Sequence, residues 1–330
     1  MSSSSGAAQI RALADEILQE ESFRLEGPIC HESVSLIPIV TTEEVGSQPN
    51  FMNAAEALST GVLQIIEGGD SVELIIAQNM GQIPILIEEG EVLKADGSQD
   101  RIVVTNIVIQ PGDRIRIPVK CVHAPHALHA GSRFRSIGAG SYNMRAGLKR
   151  AKYQSIMTDV EHYTPEHAVD QSEVWESARL EGVAAGTADP TKYTKALEKQ
   201  RKSAEKTAKK FRKEMPERTC GFIAVDSKGI VRSIEIYRSA RAFQGRSGFI
   251  ESLLMAFSKK GEKTQENEVA LSTALQVLMK LRRISDETVI VQEGSDNLHI
   301  RVDELTGEAI TSKQPDGTHR VIYASLGTTD

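Results

Sequence analysis

The stretch Ile87–Arg133, IEEGEVLKADGSQDRIVVTNIVIQPGDRIRIPVKCVHAPHALHAGSR, decides how this chain is read. Short apolar runs alternate with polar positions and break at turn-forming clusters. Gln110-Pro111-Gly112-Asp113 is the clearest turn: proline presets φ and glycine accepts a positive φ. Runs of this length and spacing predict antiparallel strands. Into and between them the sequence puts an acid (Glu91), the triplet Gln99-Asp100-Arg101, a cysteine (Cys121) and the histidines His123, His126 and His129. Strand interiors favour β-branched and aromatic residues. Carboxylate, amide, guanidinium and imidazole groups there must be solvated, paired with one another, or turned toward a ligand.

The same texture extends outward from Glu32 to Ser141, through VSLIPIV, VLQII, VELIIAQ and IPILIE, and predicts an antiparallel sandwich or barrel. Pro38, Pro84 and Pro118 predict edges, bulges or strand ends. Before it, Ile10, Leu13, Ala14, Ile17 and Leu18 recur at helical spacing and predict an amphipathic helix over residues 7–22. From Tyr142 to about Pro216 the pattern is helical, clearest in SEVWESARLEGVAA and YTKALEKQRKSAEKTAKKFRKEM. Strands and helices then mix: CGFIAVDSKGIVRSIEIYRS, FIESLLMAFSKK, ENEVALSTALQVLMKLRRI, and a run of short strands at the end. The expected fold class is α+β: an N-terminal antiparallel β-sandwich-like domain, a helical middle segment and a C-terminal mixed α/β part. Texture divides the chain at 1–24, 25–141, 142–218 and 219–330.

Composition narrows the class. The chain has 330 residues, 40% hydrophobic and 25% charged, with mean hydropathy −0.27, and no apolar run approaches a membrane span. The start, MSSSSGAAQIRALADEILQEE, lacks a basic region followed by an apolar one, so no secretory signal is expected. Three scattered cysteines with no CxxC spacing fit a reducing compartment, and a cytoplasmic protein is expected. Net charge −6 argues against nucleic acid as a partner. The charge is uneven: residues 1–70 hold eleven acids and two bases, and residues 192–218 hold eleven bases and four acids. The basic helix reads as a solvated or docking face, not as a nucleic-acid reader, because aromatic residues make up only 5% of the chain.

Each candidate group has a plain reading beside a functional one. Arg101 supplies a planar fork for phosphate or carboxylate, which Gln99 and Asp100 could orient, or the three form a solvated hairpin tip. His123, His126 and His129 have HxxHxxH spacing, with Cys121 just upstream, which suits a soft transition metal. Pro125 interrupts the set and no fourth ligand follows, so no metal is expected. Cys121 could act as a nucleophile with His123 as base, or be a buried sheet cysteine. Neither GxxxxGK[ST] nor GxGxxG occurs, and no cofactor is expected.

Glu91 ahead of Gln99-Asp100-Arg101, followed by IPVKCVHA (Ile117–Ala124), resembles the ADP-ribosylglycohydrolase and rhodanese-phosphatase associated protein domain family. That family has a GEEL-type strand, a Q-N-R triplet and an IPVSCVE strand. Matching positions are Gly90, Glu91, Leu93, Gln99, Arg101, Ile117, Pro118, Val119, Cys121 and Val122. Asp100 stands for the asparagine, His123 for the glutamate, and APHALHAG for a Gly-Arg-Trp. The later CGFIAVDSKGIVRSIEIYRS resembles the family's paired strands, so the resemblance covers about residues 25–325. It implies an association with NAD and ADP-ribose metabolism. The expectation that follows is a protein that binds, and could process, an ADP-ribose or nucleotide-like small molecule on its β-rich domain. Catalytic candidates are Glu91, Cys121 and His123; ligand-binding candidates are Gln99, Asp100, Arg101 and Arg133. A non-catalytic protein docking a partner enzyme is the alternative, and a metal-dependent enzyme at the histidines a second. Membrane and nucleic acid are not expected as partners.

Overall fold

The computed structural model describes residues 5–44, 51–123, 128–187, 189, 191–244, 246, 248–258, 266–291, 295–314 and 317–328. The architecture is mixed α+β, with antiparallel sheets and helices in comparable amounts. The chain forms two compact units whose segments alternate along the sequence. One comprises Met1–Pro49, Lys209–Gln244 and Phe257–Asp330, the other Asn50–Ala208 and Gly245–Ala256.

In the second unit six antiparallel strands lie in the order Phe134–Ala139, Glu91–Ala95, Arg101–Val103, Arg114–Cys121, Leu74–Asn79, Leu63–Ile66. The two edge strands meet. Ile66 bridges Arg133, the Glu67 N–H donates to the Ser132 carbonyl (2.9 Å), and the Gly131 N–H donates to the Glu67 carbonyl (2.8 Å). Through this seam the sandwich-like expectation takes the form of a sheet curled into a small barrel. Adjacent residues alternate between its faces. Leu63, Ile65, Ile75, Leu93, Val103, Ile117 and Val119 fill the inside. Val92, Ile102, Val104 and Val122 pack outward against Met144, Leu148, Val174, Ala178, Tyr193 and Leu197 of three helices, Tyr142–Thr158, Gln171–Ala184 and Tyr193–Glu214. At Pro118 the long strand changes neighbours: Arg114–Pro118 pair with Gln78–Leu74, and Val119–Cys121 with Val103–Arg101. Proline has no N–H for a continuous ladder, so the exchange falls where the ladder would break anyway.

The first unit is built on a nine-stranded antiparallel sheet, counted among the described residues. Eight strands follow the order Phe23–Leu25, Val34–Thr41, Thr219–Asp226, Val231–Tyr237, His319–Gly327, Leu305–Lys313, Asn297–Val302, Val289–Val291, and Ile29–His31 adds beside Val34–Thr41. One face, with Ile234, Ile236, Ile300, Ala324 and Leu326, buries Ile10, Leu13 and Ile17 of the helix Gly6–Leu18 and Ala274, Leu278 and Leu281 of Asn267–Arg282. The pairing of Val34–Thr41 with Thr219–Asp226 is why the units are discontinuous. Texture divides the chain linearly, because local composition carries no record of a hydrogen-bonding partner nearly two hundred residues away.

Candidate functional site

The register places Arg101 of the predicted triplet on the inside of the barrel. Arg101 pairs with Leu93 on one side and Cys121 on the other, so the three side chains share a face. Arg101 is fully buried, and its Nη2 meets Glu67 Oε2 at 2.8 Å, with both side chains 0% exposed. Its Nη1 donates to the Gln99 carbonyl at 2.8 Å and approaches Gln99 Oε1 at 3.4 Å. The Cys121 thiol donates to the same Oε1 at 2.8 Å, and the Ser98 hydroxyl to Glu67 Oε2 at 3.1 Å. Burial pushes the Cys121 pKa up while Arg101 pulls it down; burial prevails, so the site holds the protonated thiol. Glu67 sits at the closing seam, so this cluster ties the barrel's last strand connection to its central strands. Two of its buried atoms, Glu67 Oε1 and Arg101 Nε, have no hydrogen-bond partner among the described residues.

Asp100 points elsewhere. Its Oδ1 accepts the Ala95 N–H at 2.9 Å, closing the hairpin, and its Oδ2 accepts the Thr194 hydroxyl at 2.9 Å at the start of a helix. Arg133 is exposed, while its backbone forms the seam bridge. His123 lies beyond the end of its strand, half-buried, and interacts electrostatically with Asp189. His129 is exposed and His126 lies outside the described residues, within which no three metal-ligating side chains gather.

Glu91 belongs to a second centre. Gly90, at φ +79°, turns the chain between the buried Glu88, Glu89 and Glu91, and a Cβ there would lie 2.5 Å from Arg145 Cγ, so only glycine fits. Glu91 accepts hydrogen bonds from Ser136 and Arg246, and Arg246 Nε reaches Glu88 at 3.3 Å. Glu89 is held by Lys149 at 2.9 Å and by Lys152, and all three are buried. Burial raises the Glu89 pKa, but the two lysine charges and their hydrogen bonds outweigh it, and the net shift is downward. Close by, Ser141 caps the helix Tyr142–Thr158, donates its hydroxyl to Glu181, and gives its N–H to the Tyr193 hydroxyl at 2.8 Å. Burial drives the Glu181 pKa to about 7 against the pull of that hydroxyl.

The first unit holds a further polar row, absent from the sequence reading. Register aligns Glu235, Ser325, Glu308 and His299 across four neighbouring strands on one face. Glu235 accepts from Ser325 (2.8 Å) and Tyr323 (3.1 Å), and His299 Nδ1 lies 3.3 Å from Glu308. A signal was present: SIEIY and TGEAI each set one acid on an otherwise apolar strand. Glu67 was equally legible, because Leu63 and Ile65 point inward and period two puts Glu67 with them. Lys149 and Lys152 carried no comparable mark; Arg246 stands in the sequence Gly245-Arg246-Ser247-Gly248 ahead of a helix, which reads only as a weak anion-binding signal.

A family model described as the ARG and Rhodanese-Phosphatase-superfamily-associated Protein domain matches residues 22–326, through both units. The chain belongs to this family. No curated protein and no solved structure shows significant similarity to it. The family's description records an association with ARG and with the rhodanese-phosphatase superfamily, and says nothing about ligand or reaction.

Proposed function

We propose that this family member is a non-catalytic companion of an ADP-ribosylglycohydrolase-type enzyme, acting by association and not by chemistry of its own. One observation carries the reading: the groups best suited to chemistry or phosphate binding are spent on one another. Arg101 is matched by buried Glu67, the Cys121 thiol by Gln99, and Glu91 by Arg246 and Ser136. A phosphate would have to displace a fully buried carboxylate to reach Arg101, and a buried guanidinium–carboxylate pair is costly to break, about 3–5 kcal/mol. The family's recorded association supplies the partner class. Sedimentation velocity of the purified chain mixed with an ADP-ribosylglycohydrolase tests the reading. A saturable complex supports it, and independent sedimentation of the two at concentrations well above 10 μM overturns it.

The two unpartnered atoms at Glu67 and Arg101 favour a second reading, in which a hydroxyl-bearing ligand related to ADP-ribose enters that cluster. Ligand at a hundredfold excess over its dissociation constant would then add about 2.7 kcal/mol of stability. A thermal-shift panel with ADP-ribose, ADP and NAD that leaves the melting temperature unmoved removes this reading.

A further inference from the structure

We propose that the outer surface formed by the helix Gln171–Ala184 and the adjoining part of Tyr193–Glu214 is a docking site for an acidic amphipathic helix of a partner protein; the proposal rests on the companion reading above. Two independent features of the second unit meet there. The first is apolar. Among the described residues, Trp175, Leu180 and Val183 are three of the large hydrophobic side chains left in water, 37%, 54% and 57% exposed, on one short helix. They cover an arc of about 140° at 100° per residue. The charges between them, Glu176 and Arg179, pair with each other at 2.7 Å and add no net charge to the face. Single exposed hydrophobics are ordinary on protein surfaces; a grouped set that includes the chain's one tryptophan is the kind that marks interaction sites.

The second feature is electrostatic. Lys195, Lys199, Lys202 and Lys206 are all exposed and fall within an arc of about 60°, a stripe roughly 16 Å long. Helical spacing places Glu198 and Glu205 on the flank of this stripe, where Glu198 is turned to Lys94 at 3.4 Å. The stripe reaches the C-terminal end of the apolar helix at Lys199, whose Nζ donates to the Gly186 carbonyl at 3.0 Å, three residues beyond Val183. A ligand that satisfies both must offer apolar side chains at i, i+3/i+4 and i+7 with carboxylates beside them, which is an acidic amphipathic helix. Duplex or single-stranded nucleic acid would use the lysines alone and leave Leu180 and Val183 in water. The lysines would chiefly speed encounter and fix orientation, while the apolar trio would hold the complex.

The probe is a fluorescent peptide of about 18 residues, with leucines on one helical face and glutamates elsewhere, titrated against the full chain by anisotropy. The control is the same composition with the leucines dispersed. The expected result is binding of the amphipathic peptide at least tenfold tighter than the dispersed one, weakening by about tenfold between roughly 50 and 300 mM salt. Lys199→Glu with Lys202→Glu, and separately Leu180→Ser with Val183→Ser, should each weaken it at least tenfold; all these side chains are exposed, so the fold should survive. Equal binding of both peptides, variants that bind like the parent, or tighter binding to an oligonucleotide or to phosphatidylserine vesicles would each overturn the proposal. Sedimentation with an ADP-ribosylglycohydrolase separates the two ideas. A complex that forms equally with the variants sinks this surface and leaves the companion reading standing, whereas no complex with any form sinks the companion reading itself.

Discussion

Replacing Arg101 with methionine is the sharpest test of the barrel cluster. The substitution keeps most of the side chain's length and removes the guanidinium, which leaves Glu67 buried and without its ion-pair partner. Loss of one member of a buried pair costs about 3–5 kcal/mol. Losing the hydrogen bonds from Arg101 to Gln99 falls within the same estimate and is not added to it. For a unit of this size, 1 kcal/mol corresponds to about 2–4 °C in Tm, so a fall of roughly 6–20 °C is expected. Glu67→Leu with Arg101→Met removes both charges together and should recover most of the loss, because apolar replacements of buried pairs are often neutral or stabilising. Urea unfolding of the parent, both single variants and the double variant gives the coupling energy. Alkylation of Cys121, read by peptide mass spectrometry, gives a local measure: the buried thiol beside Gln99 should react slowly in the parent and faster in Arg101→Met. A single variant as stable as the parent, or a double variant whose loss equals the sum of the singles, would refute the reasoning.

Glu181 should make stability depend on pH. Its folded pKa of about 7 lies above the ordinary carboxylate value of 4.5, so its contribution is complete below about pH 4.5 and is lost as pH rises through 7. The full span is on the order of 3 kcal/mol, and Glu181→Gln should flatten the stability profile between about pH 4.5 and 7; a variant with an unchanged profile contradicts the assignment. Asp100→Ala should lose about 1–2 kcal/mol, because its two oxygens satisfy the Ala95 N–H and the Thr194 hydroxyl. If Asp100 read a ligand instead, the variant would keep its stability and change only ligand response in the thermal-shift panel.

Much of the fold could be read from the chain, and particular residues show where reading stopped. The barrel strands announced themselves through period-two runs and the turn at Gln110–Asp113, and the helix Tyr193–Glu214 through its long charged periodicity. Pro118 predicted a strand irregularity, and the ladder changes partner there. The triplet stands out in the sequence as polar among strands, but the partner of Arg101 does not, because Glu67 lies 34 residues away and local pattern shows its direction without its pairing. Lys149 and Lys152 are harder still. On NMRAGLKRAKY they look like solvated helix charges, and their burial follows from pairing with the buried Glu89 beside the turn at Gly90.

Release of ADP-ribose from an ADP-ribosylated protein, followed by chromatography, tests the central claim most directly. Three reactions are compared: this chain alone, an ADP-ribosylglycohydrolase alone, and the two together. The expected result is no release by the chain alone and a changed rate for the enzyme when the chain is present. Release by the chain alone, abolished by Glu91→Gln, would contradict the account and make the centre at Gly90 an active site.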